Sequence, residues 1–312
     1  MNEQFCDVGR GITLCYETFG DPSEPTALLI MGLGTQMVAW REEFCTQLAE
    51  RGLHVVRFDN RDVGRSTHLS APPPTVGQLL RRSRTAASYT LADMADDAAA
   101  LLEELDLSPA HVIGASMGGM IAQTLAARHP ANVRSLVSIM SNTGSRLSGQ
   151  PSLRTYGLLL SRAPRERDAY IAHFERIFAA IGSRGLPRDL DDMRELAALS
   201  YDRDHDPDGP SRQLAAILAS GNRSRELRRI TAPTLVVHGK ADPLVAYSGG
   251  RATARLIGGA TMMSVEGMGH DLPRAVWPRL IDGIAANAAR ADGAGKHDPS
   301  PQAPRSRSLS GL

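Results

Sequence analysis

The stretch that decides the fold is AHVIGASMGGMIAQTLAAR, residues 110–128. Ala110 to Gly114 is a short apolar run of the kind a strand shows when both its faces are buried. From Met117 a helix is expected, running to about His129. Between them lies Gly114-Ala115-Ser116-Met117-Gly118. A G-x-S-x-G pattern alone is weak, because this composition supplies about 0.2 chance occurrences per chain. Its setting carries the argument. A strand that turns sharply into a helix at a serine forces the hydroxyl to project upward from the sheet. Gly114 and Gly118 let strand and helix approach without Cβ clashes. The new helix also directs backbone N–H groups and the positive end of its dipole toward developing negative charge.

Working outward, the same apolar runs recur. TALLIMG (26–32), HVVRFDN (54–60), SLVSIM (135–140), PTLVVHG (233–239) and ATMMSVEG (260–267) read as strands, and QFCDV with ITLCYETF reads as a hairpin around Gly9-Arg10-Gly11. Helical patterns fall at 36–51, behind the Thr90 N-cap, near 247–257 and at 274–290. Strands alternating with helices over short loops predict an α/β fold, with a mostly parallel eight-stranded sheet and helices on both faces. Residues 67–89, with Pro72-Pro73-Pro74 and Arg81, Arg82 and Arg84, read as an irregular excursion. Residues 143–230 hold no strand-like run, only amphipathic patterns such as RDAYIAHFERIFAAIG. They are expected to form a helical cap over the strand C-termini. The domain reading is a core at 1–142 and 231–291, a cap at 143–230, and a disordered tail at 292–312, which is rich in Pro, Ser, Gly and Arg.

A serine needs a base within hydrogen-bond reach to become a nucleophile. Of nine histidines, His270 in GMGHDLP follows the last strand and precedes the last helix, at the sheet edge that presents Ser116. His54, His111 and His238 fall within or at the edge of buried strands, His129 ends a helix, and His68, His173, His205 and His297 fall in a loop, the cap or the tail. The carboxylate that orients the base is expected at Asp242 in HGKADPLV, directly after strand 233–239. The competing position after strand 135–140 is excluded, because Ala131 to Arg165 contains no Asp or Glu. Asp271 adjoins the base and should point elsewhere, and Glu266 should be solvated. Oxyanion stabilisation needs two backbone donors. Met117, after the nucleophile, supplies one candidate, and Leu33 in the loop after strand 26–32 supplies the other.

The formal charge of +1 gives no global field favouring nucleic acid or anionic membranes. No apolar run is long enough to span a bilayer, and the N-terminus lacks a signal-peptide pattern, so a cytoplasmic protein is expected. Cys6, Cys15 and Cys45 are too few and scattered for a disulfide framework or a zinc site, and are read as reduced thiols. The Asp202, Asp204, Asp206, Asp208, Gly209 run imitates a calcium loop, but counting from Asp204 the twelfth position is Ala215 instead of a bidentate Glu. The charges of Asp59-Asn60-Arg61-Asp62-Val63-Gly64-Arg65-Ser66 are expected to pair and hold their loop. Asp93, Asp96 and Asp97 read as a solvated helix face, and Arg81, Arg82 and Arg84 as ordinary solvated surface.

LLIMGLG, VVRFDNRDVGRS, VIGASMGGMIAQ, PTLVVHGKADPL and GMGHDLP, in this order, resemble the α/β-hydrolase superfamily over residues 1–290. The chain looks most similar to its capped esterase and lipase branch, including polyketide (aclacinomycin-type) methylesterases and mycobacterial carboxylesterases. Met31-Gly32 at the oxyanion loop, where many relatives carry His-Gly, is as in the methylesterase group. The resemblance implies hydrolysis of a small to medium apolar, aromatic or methyl ester by a Ser116–His270–Asp242 triad, with no cofactor and no metal. The partner is a small-molecule ester, and the chain is a monomer or homodimer. Cofactor-free perhydrolysis (haloperoxidase chemistry) or C–C hydrolysis on the same scaffold is the alternative. A ligand receptor with residual hydrolase activity is a further one.

Overall fold

The structure, a computed structural model, describes residues 2–81 and 84–295. The first half runs β1 Gln4–Asp7, β2 Thr13–Phe19, β3 Thr26–Ile30, α1 Glu42–Ala49, β4 His54–Phe58, α2 Val76–Leu80, α3 Leu91–Glu104, β5 Ala110–Ala115, α4 Met117–Arg128 and β6 Val133–Ile139. Then come α5 Leu153–Leu159, α6 Arg167–Ile181, α7 Leu190–Arg203, α8 Gly209–Ser220 and α9 Ser224–Leu227. The chain closes with β7 Thr234–Gly239, α10 Ser248–Leu256, β8 Thr261–Val265 and α11 Trp277–Gly295.

The strands form one eight-stranded sheet in the order β1-β2-β4-β3-β5-β6-β7-β8. The β1–β2 and β2–β4 pairs are antiparallel and all others parallel. Alternate side chains separate two cores, as the period of two in a strand requires. Leu28 and Ile30 of β3 pack with Leu91 and Met94 of α3 and Ile121 and Leu125 of α4. Ala27 and Leu29 face Phe44 and Leu48 of α1 and Leu280 and Ile284 of α11. Each fully buried Leu or Ile contributes about 1.5–3 kcal/mol, which is why β3 reads as an apolar run and β4 and β5 interrupt theirs only at His54, Arg57 and His111.

The chain leaves β3 toward β4, then crosses back to place β5 on the other flank of β3. This reversal opens a crevice beyond the carboxyl ends of β3 and β5, where ligands of open α/β sheets bind. The loop after β3 and the turn after β5 both end there.

Five helices, and no strand among the described residues, lie between β6 and β7. The last of them, α9, packs on α4 and α10 beneath the sheet, with Leu227 and Ile230 in the main core.

Three local expectations need correction. The helix expected over 36–51 is a 3-10 turn, Met37–Ala39, followed by α1. Arg57, 1% exposed, donates to the Trp40 carbonyl that a continuous helix would use at Phe44. The excursion at 67–89 holds α2, started by a Thr75/Gln78 capping box. The last helix continues past 290 to Gly295, with Asp292 drawn to Arg134 at 3.3 Å. Residues 292–295 of the expected tail are therefore helical, and the rest of that segment lies outside the described residues.

Candidate active site

Ser116 sits between β5 and α4 at φ +57° and ψ −118°. A non-glycine residue held there costs on the order of 1–3 kcal/mol, so its surroundings must enforce it. They do so by close packing. A Cβ on Gly114 would lie 2.1 Å from the Gly118 carbonyl oxygen, and one on Gly118 would lie 2.1 Å from that of Ile30. Ser116 N–H also donates to the Ile139 carbonyl at 2.9 Å. The Ser116 side chain makes no capping bond to α4. Its Oγ instead lies 2.8 Å from Nε2 of His270.

His270 follows β8, and its Nδ1 lies 2.7 Å from Asp242 Oδ2, on the loop after β7. The other carboxylate oxygen, Oδ1, accepts the N–H groups of Leu244 at 2.9 Å and Val245 at 2.8 Å. His238 Nε2 donates to the Val245 carbonyl at 2.8 Å and lies 3.5 Å from Asp242 Oδ2. Burial by itself would raise the Asp242 carboxyl pKa. The charge and hydrogen bond of His270, with His238 close by, outweigh it and hold the group well below the usual carboxylate range. An ionised acceptor requires a proton on Nδ1 of His270 and leaves Nε2 free to accept from the serine hydroxyl. The line Asp242, His270, Ser116 can thus take the hydroxyl proton as the oxygen attacks an electrophile.

The His270 loop is tied to the end of α6. His270 N–H donates to the Ile181 carbonyl at 2.8 Å. The buried Ser183 hydroxyl accepts from Gly269 N–H at 2.9 Å and donates to Asp271 at 2.5 Å. Asp271 therefore points away from the base, as expected.

Leu33 and Met117 border the same cavity as Ser116 and His270. Among the described residues neither backbone N–H has a hydrogen-bond partner. That is usual for the first turn of a helix such as α4. A Cβ on Gly32 would lie 3.1 Å from Ser116 Cβ, so the loop after β3 lies directly against the nucleophile turn. The cavity has a volume of about 1080 Å³, slightly above the ~300–1,000 Å³ usual for small-molecule sites. Leu158, Leu160, Phe174, Phe178 and Leu214, from the segment between β6 and β7, line it. The side chain of Leu159 lies outside the described residues. Phe174 and Phe178 stack with ring centroids 4.5 Å apart.

The loop after β4 does pair its charges, but with residues remote in sequence. Asp59 meets Arg203 at 2.9 Å, Asp62 meets Arg212 at 2.8 Å, and Arg61 meets Asp97 at 2.5 Å. The last pair corrects the expectation of a solvated Asp93, Asp96 and Asp97 face, since Asp97 is buried. Asp62, His68 and Asp206 come close enough to suggest a metal site. Arg212 Nη2 already bonds Asp62 at 2.8 Å and Asp206 at 2.5 Å, supplying the positive charge itself. The cysteines are free and buried. Arg81 is exposed, Arg82 lies outside the described residues, and nothing is described of the Arg84 side chain. Sequence reading missed Ser183, Arg203 and Arg212, whose contacts with Gly269, Asp59 and Asp62 span 86 to 150 positions and leave no local pattern.

Comparison with known proteins agrees with this architecture. A family model described as alpha/beta hydrolase fold matches residues 25–273. Over 300 residues the chain is 28% identical to the rhodomycin D methylesterase of Streptomyces peucetius, covering 90% of this chain and 96% of that protein. With the same coverage it is 29% identical to the rhodomycin D methylesterase of Streptomyces sp. strain C5. Among solved structures, a hydrolase from Pseudomonas aeruginosa PA01 superposes with a TM-score of 0.67 at 23% identity, covering 92% of this chain and 98% of its own. The model match spans most of the sheet and both loops that meet at Ser116, and on it the chain belongs to the α/β hydrolase fold family.

Proposed function

We propose that the chain is a carboxylic ester hydrolase working through an acyl-enzyme on Ser116. The observation that carries this reading is the hydrogen-bonded line from Ser116 through His270 to a buried, ionised Asp242 at a large cavity with apolar lining. His270 takes the proton from Ser116 as Oγ attacks the ester carbonyl, and the N–H groups of Leu33 and Met117 hold the resulting oxyanion. His270 then gives that proton to the alkoxide leaving group, releasing the alcohol. In the second half His270 deprotonates water, which attacks the acyl-enzyme and frees the acid and Ser116. Asp242 keeps the imidazole in the required tautomer and stabilises its charged form.

The apolar lining, stacked Phe174 and Phe178 included, suits an apolar or aromatic ester. The two relatives named as methylesterases favour a methyl ester, whose small alcohol leaves the cavity to the acid part. The test is incubation with a fluorophosphonate followed by peptide mass spectrometry, beside turnover of methyl and nitrophenyl esters. Label on Ser116, and loss of turnover by orders of magnitude in Ser116→Ala, are expected. Unchanged turnover in that variant would exclude the mechanism.

A further inference from the structure

The loop that carries Leu33 is fastened from three sides. Asn60 Nδ2 donates to the Met31 carbonyl at 3.0 Å, and Met37 N–H donates to Asp59 Oδ1 at 2.7 Å. Both anchors come from the loop after β4. The third comes from α8, between β6 and β7. Gln213 Oε1 accepts Gly34 N–H at 2.8 Å, and its Nε2 donates to the Arg61 carbonyl at 2.8 Å. Gln213 is fully buried and does not border the cavity. Pro210, one turn earlier on α8, closes over the same glycine, and a Cβ on Gly34 would lie 3.0 Å from it. Gly34 itself has φ +63°.

We infer that Gln213 is a positioning residue for the oxyanion site, through which α8 sets the direction of the Leu33 N–H. This rests on the hydrolase reading above. The peptide N–H of Leu33 lies between two fixed points, the Met31 carbonyl on one side and the Gly34 N–H on the other. Without Gln213 the second point is gone, and a loop with a glycine at positive φ relaxes readily. A glutamine suits the position because it alone spans a backbone donor and a backbone acceptor there while remaining neutral. Either group left unpaired in this buried place would be costly. The oxyanion donor acts only when it is already aimed, so a displacement well under an ångström weakens the transition state more than the bound substrate.

The experiment compares Gln213→Met, close in volume but without either hydrogen bond, with Gln213→Glu, which keeps an acceptor for Gly34 N–H. Steady-state kinetics on a nitrophenyl ester are measured with inhibition by a trifluoromethyl ketone, whose adduct on Ser116 bears the oxyanion. Gln213→Met is expected to lose about 10- to 100-fold in kcat, by analogy with losing or misaiming one such donor. KM should change little, trifluoromethyl ketone affinity should fall in proportion, and Gln213→Glu should recover only part of the loss, because its second oxygen faces the Arg61 carbonyl. A loss expressed only in KM, or unchanged kcat in Gln213→Met, would overturn the inference. If Gln213→Met does not fold, Gln213→Asn decides, because its amide is one methylene too short to reach both partners. Lower kcat supports the inference, and unchanged kcat overturns it. Ser116→Ala run alongside separates the two ideas. Activity surviving there sinks the hydrolase reading itself, whereas an inert Ser116→Ala with a fully active Gln213→Met sinks only the role of Gln213.

Discussion

Replacing Asp242 by Asn tests whether His270 works through a fixed tautomer. Oδ1 of Asp242 accepts two backbone N–H groups, from Leu244 and Val245, at 2.9 and 2.8 Å. An asparagine must turn its carbonyl oxygen to those two donors, because its NH₂ cannot accept. The NH₂ then occupies the place of Oδ2, 2.7 Å from Nδ1 of His270. Facing a donor, Nδ1 becomes the acceptor, and the imidazole proton moves to Nε2. That nitrogen faces Ser116 Oγ at 2.8 Å and can no longer take its proton. The amide matches the carboxylate in size, so the fold should survive. Wrong-tautomer substitution in a serine protease triad lowers kcat by about 10⁴, or roughly 5 kcal/mol at 1.36 kcal/mol per tenfold. A loss of about 10³ to 10⁴ in kcat is expected here, with near-parental KM and far-UV circular dichroism. The assay is methyl-ester hydrolysis followed by acid release, beside the rate of fluorophosphonate labelling. A folded Asp242→Asn variant that loses less than tenfold would refute the reasoning.

The same carboxyl supplies a pH test. Its pKa is lowered in the fold, so its stabilisation is complete above the unfolded value, near ~3.9, and declines from there as pH falls toward the lower folded value. The stability gap between the parent and Asp242→Asn, from urea midpoints, should therefore narrow between pH 6 and pH 3, and a constant gap would count against it. Arg203→Met leaves Asp59 buried without its guanidinium and should cost about 3–5 kcal/mol by urea unfolding; adding Asp59→Asn should return part of the loss. Gly118→Ala drives a methyl group to 2.1 Å from the Ile30 carbonyl and should cost about 3 kcal/mol or more, seen as a lower thermal midpoint. Because Arg212 already bonds both carboxylates of the Asp62, His68 and Asp206 group, dialysis against a chelator should leave ester turnover unchanged. Activity lost there and regained with a divalent cation would contradict that.

What the sequence disclosed and what it hid divide along physical lines. The Ser116 turn was readable because its causes are local: an apolar strand, two glycines and a helix within a dozen residues. His270 and Asp242 were readable by topology, since positions after consecutive parallel strands fall at one edge of the sheet. Asp97 was not readable. Beside Asp93 and Asp96 it looks like part of a solvated charge run, and its burial is made tolerable by Arg61, 36 positions away, with Arg10 at 3.7 Å on the same carboxylate. The break between Met37–Ala39 and α1 was hidden for a similar reason. The spacing of Met37, Trp40, Phe44 and Leu48 fits one helix, yet Arg57 reaches from β4 and takes the Trp40 carbonyl. Helix α2 was obscured by the proline run before it, although Thr75 and Gln78 already stood at capping-box spacing.

The residues hardest to foresee share a location, the seam between the segment from β6 to β7 and the rest of the chain. Ser183 fastens the end of α6 to Asp271 and Gly269 beside the base. Arg203 fastens α7 to Asp59, and Gln36 donates to the Ser200 and Asp204 carbonyls. Arg212 and Gln213 fasten α8 to Asp62, Arg61 and Gly34. Each contact reaches a loop that also bears a group proposed for catalysis, or adjoins one that does. The segment from β6 to β7 is thus bound to the loops beside Ser116 by buried polar bonds whose disruption is costly. A change in its packing should alter the geometry at Ser116 as well as the shape of the cavity. Substrate choice and turnover are then coupled through the same few side chains, and substitutions made to widen the cavity will keep activity only where these attachments survive.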